Sequence, residues 1–473
     1  MNTPETPHHE SWSLRVRREP KAARAAAGLQ RRTTVPLKAH AELVLPADRA
    51  SAESILHAQD ARRVQDLVPI RYGRMLATPF AFLRGSAAVM AADLAAGPRT
   101  DLHVQLCGDA HLSNFGVFAS PERSRVFDVN DFDETLPGPF EWDVKRLAAS
   151  VVVAGRNSKF DAKTNRRIAR ASVAQYRAVL KAAAAADPLV TFYYRINVDE
   201  LLAGLSVSKQ SRQRIAKGSK KAAGRTSLGA LGKLTDIVDG RRVIVSQPPL
   251  IVRLDDSERH AEIHRIETFF GAYRSTLNVD RRQLLDRYAL TDLARKVVGV
   301  GSVGTRCLIA LFESGDGEPL FLQVKEAVAS VLEAHLGPSD YEQAGERVVN
   351  GQRLVQATPD SFLGWARWRS GKKDEPPIDF YVRQLWDGKQ SAAVETMAPD
   401  ALERYARACG AALARAHARS GDAAEIAGYL GDDDTFDRMI TTFAEAYADL
   451  TERDYADLLA AVDDGRIEAV RDM

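Results

Sequence analysis

The sequence predicts an α+β protein in two units: a helical unit holding acid-tipped strands, and a small antiparallel β unit holding a glycine-rich hairpin. Three observations lead there. Two short apolar strands, Val104 to Leu106 and Val126 to Val129, each run into carboxylates. Gly299, Gly301 and Gly304 precede a short, wholly apolar run, Cys307 to Phe312, and so read as lying between two strands. Long stretches around both, such as E-R-Y-A-R-A-C-G-A-A-L-A-R-A-H-A from Glu403, repeat apolar residues at helical spacing.

The chain divides accordingly. Residues 1–50 are rich in Pro, Arg and Ala and read as a basic, partly disordered arm. Residues 51–225 form the helical unit. Its parts are a helix over 51–67 capped by Ser51, an Ala- and Met-rich helix over 86–96, an amphipathic helix over 142–155, and further helix over 161–185. A strongly basic run at 209–225 reads as a loop or a solvated face. Residues 226–390 form the β-rich unit, interrupted by helix over 256–290 and over 340–356. Residues 391–473 are C-terminal helices expected to pack on the helical unit.

Composition narrows the function. In 473 residues, 65 basic and 63 acidic side chains leave a net charge of +2, which gives no ground for a nucleic-acid or membrane surface as main partner. Apolar content of 45% is that of a globular protein. The three cysteines, Cys107, Cys307 and Cys409, are far apart, lack metal-binding spacing, and fit a reducing compartment. No apolar run reaches the length of a membrane span, and the first residues lack the apolar core of a secretory signal, so the expected location is cytoplasmic.

The acid strands carry chemistry suited to a hard cation. They read G-D-A-H-L-S-N from Gly108 and V-N-D-F-D-E from Val129. Mg²⁺ takes oxygen ligands and is usually held by one or two carboxylates plus substrate phosphates. Asn114 and Asp131 would supply oxygens, with Asp133 as a candidate second carboxylate ligand. Asp109 is left to orient or deprotonate an attacking hydroxyl, and His111 to support the loop by hydrogen bonding or to pack in the core. Asn, Asp and Gly are also ordinary turn residues. Arg84, beside Gly85 in an apolar stretch, calls for an anion, either a phosphate or a structural carboxylate.

These motifs, with G-P-F-E-W-D-V-K-R-L-A after them, resemble the catalytic half of the kinase-like aminoglycoside and choline phosphotransferases. Cys107 stands where those enzymes usually carry His. The chain as a whole, from about Arg31, more closely resembles a bacterial family of unknown function, DUF2252. The matching runs include R-Y-G-R-M, P-F-A-F-L-R-G, N-D-F-D-E-T-L-P-G-P-F-E-W-D, V-G-S-V-G-T-R and Y-V-R-Q-L. The kinase-like resemblance implies a two-lobed protein-kinase-like fold with ATP and Mg²⁺ as cofactors. It implies that Asp143 braces the catalytic loop and that Gly299, Gly301, Ser302 and Gly304 cover phosphates. Lys325 would hold the phosphates, paired with Glu346 or Glu342 on the next helix, Glu346 preferred.

In ordinary kinases the glycines and lysine precede the catalytic loop, whereas here they follow it, so the resemblance further implies a circular permutation. That places Lys325 and Asp131 across one cleft. The expected activity is phosphoryl transfer from ATP to an unknown acceptor. A catalytically silent nucleotide-binding regulator and a nucleotidyl (AMP) transferase are the alternatives. A weaker rival site is H-A-R-S-G-D, His417 to Asp422, where His417 also reads as a helix-end histidine.

Overall fold

The structure, a computed structural model, describes residues 19–199, 227–372, 374–385 and 390–471. The start of the expected arm and the basic run at 209–225 lie outside the described residues. The rest of the arm is not extended. Lys21–Gln30 is a helix laid against the helix Ala423–Leu430. The approach is so close that a Cβ at Gly28 would sit 1.8 Å from the Glu425 carbonyl oxygen. Burial of Leu37 and His40 just beyond it fixes this segment to the fold, which composition alone did not foretell.

Helices and antiparallel sheets make up the fold, in keeping with the α+β expectation. At the centre of the helical part is the helix Glu141–Asn157. It is buried at every position from Glu141 to Gly155 rather than on one face. Its charged residues tolerate this because each has a partner. Glu141 accepts bonds from the Thr100 N–H and hydroxyl at 2.7 Å. The Lys145 ammonium lies 4.4 Å from the centre of the Phe443 ring, and burial brings its pKa down to about 8. The helices Ala162–Ala185, Pro399–Ser420 and Thr435–Asp463 pack around it, so the C-terminal segment closes the same core. Each large apolar side chain buried there contributes roughly 1.5–3 kcal/mol.

Small strands line one end of this helical part. The two strands that run into carboxylates, of which β1 (His103–Leu106) is the first, do not pair with each other. A hairpin joins β2 (Phe115–Ala119) to β3 (Arg125–Val129), the second of them, with Phe115 opposite Val129. β1 pairs with β4 (Leu136–Pro139), and β5 (Ile196–Asn197) flanks β3. A two-stranded ribbon, β6 (Thr235–Val238) and β7 (Arg241–Ile244), precedes the large sheet.

That sheet has six antiparallel strands: β8 (Ile251–Arg253), β9 (Tyr288–Lys296), β10 (Cys307–Ser314), β11 (Pro319–Ala327), β12 (Gly364–Trp368) and β13 (Ile378–Gln384). Their spatial order is β12-β13-β11-β10-β9-β8. A last short strand, β14 (Gln390–Ser391), pairs with β2. Strand side chains alternate between faces. Leu322 and Val324 of β11 therefore meet Phe269 and Tyr273 of the helix Asp256–Ser275. Phe321 turns the other way, onto Ile309 and Leu311. Lys325 shares that second face, at its polar end, with Cys307 and Tyr381 opposite it on β10 and β13.

Two helices stop earlier than their patterns suggest. The first ends at Asp60, whose carboxylate takes bonds from Arg71 (2.6 Å) and Tyr72 (2.5 Å). The Val64 N–H then leaves for the Gly304 carbonyl at 2.8 Å. The helical stretch after Asp256 gives way to β9 at Tyr288. Among the described residues no helix is long and apolar enough to cross a membrane. All three cysteines are buried and free.

Candidate functional site

The loop after β1 is held from below. The Asp143 carboxylate accepts the N–H groups of Cys107 (2.7 Å) and Gly108 (3.0 Å). Gly108 takes φ +81°, and a Cβ there would meet the Glu134 carbonyl oxygen at 2.2 Å, so no other residue fits this turn. The Asn114 amide donates to the Asp109 carbonyl at 2.8 Å, and the Leu112 N–H to the Ser150 hydroxyl at 3.1 Å. These bonds leave the Asp109 carboxylate at the lip of a cleft of about 480 Å³. One of its oxygens takes two bonds from Arg146, at 2.6 and 2.9 Å. The other lies 3.5 Å from His111 Nε2. Burial raises the Asp109 pKa above the carboxylate norm, with Arg146 opposing it. Burial, with Arg146 and Arg84 nearby, holds His111 neutral, far below its usual value.

β3 delivers the second set of acids. The Asn130 N–H bonds the Asn114 carbonyl at 2.8 Å, which ties the two loops together. Asp133 is bonded to the Lys325 ammonium and takes the Tyr381 hydroxyl at 2.8 Å. Lys325 Nζ is also 3.9 Å from Asp131. Burial raises Asp131, and the neighbouring Asp133 charge adds to it. Burial pushes Asp133 the same way, but Lys325 and Tyr381 outweigh it and keep its pKa below the usual range. The acids outweigh burial at Lys325 too, so it stays charged.

The glycine segment between β9 and β10 closes the roof. Gly299 and Gly304 both have positive φ, +72° and +91°. Ser302 reaches Asp133 at 3.4 Å. The helical part grips this segment, Arg74 at the Gly299 carbonyl (2.7 Å) and Val64 at that of Gly304.

Asp109, His111, Asn114, Asp131, Asp133, Gly299, Gly301 and Ser302 thus line one cleft, and Lys325 joins it through its acid partners. Gly304 sits behind, against the Arg63 side chain. Glu346 does not pair with Lys325, whose ion-pair partners are Asp133 and Asp131. On the helix Ala344–Val355 the buried charged residue is Arg347, which donates to the Asp133 and Thr135 carbonyls. Adjacent helical residues point about 100° apart, so seating Arg347 turns Glu346 away. Glu342 pairs with Arg367 at 2.9 Å. The rival pair is structural. His417 is buried between Tyr176 (2.8 Å) and Asp143 (3.2 Å). Asp422 caps the helix Ala423–Leu430, accepting the Ala424 N–H at 3.0 Å.

Sequence reasoning missed Arg146 and Tyr381. Both carried a readable signal: Arg146 follows Asp143 by three residues, hence on the same helix face, and Tyr381 lies on the strand beside Lys325. Among the described residues no three of His, Cys, Asp and Glu are grouped to hold a metal alone. The donor set still fits Mg²⁺, which completes its shell with water and phosphate. A buried Asp131 oxygen, Oδ1, has no hydrogen-bond partner.

A family model described as an uncharacterized protein conserved in bacteria matches residues 63–461. No curated protein and no solved structure matches the chain.

Proposed function

Because this chain belongs to DUF2252, a family whose description names no activity, we propose from the site itself that it is an ATP- and Mg²⁺-dependent phosphotransferase with a permuted kinase-like arrangement. The observation that carries the reading is the contact of Lys325 with Asp133 and Asp131, 192 and 194 residues earlier in the chain, under a glycine-rich roof. Support comes from chain order as well. A lysine strand, the helix Ala344–Val355, β12, β13 and the long helix Pro399–Ser420 follow one another as the kinase-like resemblance implies. The acid loops that would end that series stand before it.

Each residue then has a task. Asn114, Asp131 and Asp133 would hold the cation, which when bound would neutralise phosphate charge. Lys325 and the N–H groups around Gly299 to Ser302 hold the phosphates in place. Asp109, oriented by Arg146, accepts the proton of the acceptor hydroxyl. That oxygen bonds to the γ-phosphorus as the bond to the ADP oxygen breaks. A carboxyl raised by burial is suited to accept that proton.

The test is calorimetric titration of ATP with and without Mg²⁺ on the wild type, Lys325→Ala and Asp131→Ala. Both substitutions are expected to weaken binding, Asp131→Ala only when Mg²⁺ is present. Unchanged binding in both variants excludes these roles. The product mass separates gain of phosphate from gain of AMP.

A further inference from the structure

One cation in the cleft has no work in that scheme. Arg84 comes from the last turn of the helix Pro79–Gly85 and lines the cleft. Its Nε is buried without a hydrogen-bond partner, and its guanidinium makes no hydrogen bond or ion pair among the described residues. Two buried arginines nearby are occupied. Arg146 is bonded to Asp109 and to the Leu83 carbonyl. Arg347 is bonded to three backbone carbonyls. Leaving a partly desolvated guanidinium unpaired carries a cost, and burial accordingly lowers the Arg84 pKa, with Glu395 and Asp109 opposing.

Its position is beside the base: the carbonyl of the preceding residue, Leu83, takes a bond from the same Arg146 that holds Asp109. The charges that act on Arg84 are Glu395 and Asp109, whereas those that act on Lys325 are Asp131, Asp133, Tyr381 and Arg383. Arg84 is thus coupled to the base, and Lys325 to the acid pair. The Arg84 carbonyl also lies 3.2 Å from where a Cβ of Gly301 would be, so its backbone runs against the glycine roof.

Resting on the phosphotransferase reading, we infer that the acceptor is a small anionic alcohol whose carboxylate or phosphate is held by Arg84 while its hydroxyl faces Asp109. Guanidinium binds either anion through paired N–H donors, which also fixes orientation.

The experiment uses the full chain with Mg²⁺–ATP and two pairs of alcohols differing in charge: glycerol phosphate against glycerol, and hydroxypropionate against propanediol. Product is followed by phosphorus NMR. At least one anionic member is expected to be used with kcat/KM about ten-fold or more above its neutral partner. Arg84→Gln should erase that preference through KM, and Arg84→Lys should restore part of it. ATP affinity, measured by calorimetry without acceptor, should stay within about two-fold of wild type. The phosphate and carboxylate arms tell which anion is read. Use of neutral members alone, use of none, or an equal loss of ATP affinity in Arg84→Gln overturns the inference, the last making Arg84 a nucleotide clamp. A wild type that binds no ATP sinks the transfer reading instead. Calorimetry with glycerol phosphate alone, wild type against Arg84→Gln, then still decides whether Arg84 is an anion site.

Discussion

The two sides of the cleft are built to different standards of rigidity. The acid side is bonded throughout. Asp143, Ser150, Asn114 and Arg146 hold the Asp109 loop, and the helix that supplies three of them is buried along nearly its whole length. The glycine side rests on a few bonds to the helical part, chiefly from Arg63, Val64 and Arg74 to carbonyls of Val303, Gly304 and Gly299. Few buried contacts and backbone open to solvent are the marks of a segment that opens at low cost. One wall is thus preorganised, and the other can adjust to a ligand that enters beneath it.

Four measurements break or sharpen that contrast. The largest effect is expected on the rigid side. Asp143→Ala removes an acceptor of two backbone N–H groups and the partner of His417, and should cost roughly 3–5 kcal/mol in urea unfolding. A cost near zero would show that the acid loop holds itself. Next, Lys325→Ala should weaken ATP binding on the order of 10–100-fold, the loss of one desolvated ionic contact. It also leaves Asp131 and Asp133 without their counter-charge, so the variant should gain stability relative to wild type as pH falls.

On the adjustable side, Gly304→Ala places a methyl at φ +91° and 3.0 Å from Arg63. It should cost only about 1–2 kcal/mol and speed hydrogen exchange in the segment between β9 and β10. An Asp143-sized loss there would put the two walls on a par. The smallest effect is in pH. Burial pushes the Glu134 carboxyl up to about 7 from 4.5. The folded chain then holds a proton that the unfolded chain has released, so this residue favours folding at low pH, and its contribution falls between about 4.5 and about 7. Glu134→Gln should flatten that part of the stability profile.

Much of this was legible in the residues, and for identifiable reasons. Short-range patterns survive translation into structure: the Asp109 loop, the Asp131 strand end and the glycines between two strands all depend on local backbone chemistry. The Asp143 brace came from resemblance and was met in the bonds to Cys107 and Gly108. Long-range choices were less visible. Whether Lys325 takes a glutamate from the next helix or an aspartate from a distant loop depends on which face that helix presents, and Arg347 decided it. The burial of Lys21–Gln30 depends on a surface at Glu425 that no local pattern announces. The helix Glu141–Asn157 reads as half polar because its charged residues are neutralised by partners remote in sequence.

That last helix has a bearing on how the chain comes to be made. His417, which seals Asp143 from behind, is 274 residues further on. At translation rates of about 5–20 residues per second, Asp143 leaves the ribosome on the order of tens of seconds before its cover exists. Until then the sides of its helix that meet Pro399–Ser420 and Thr435–Asp463 stay uncovered. The nascent protein should therefore lean on holding chaperones, and its helical core should close only after Thr435–Asp463 has emerged.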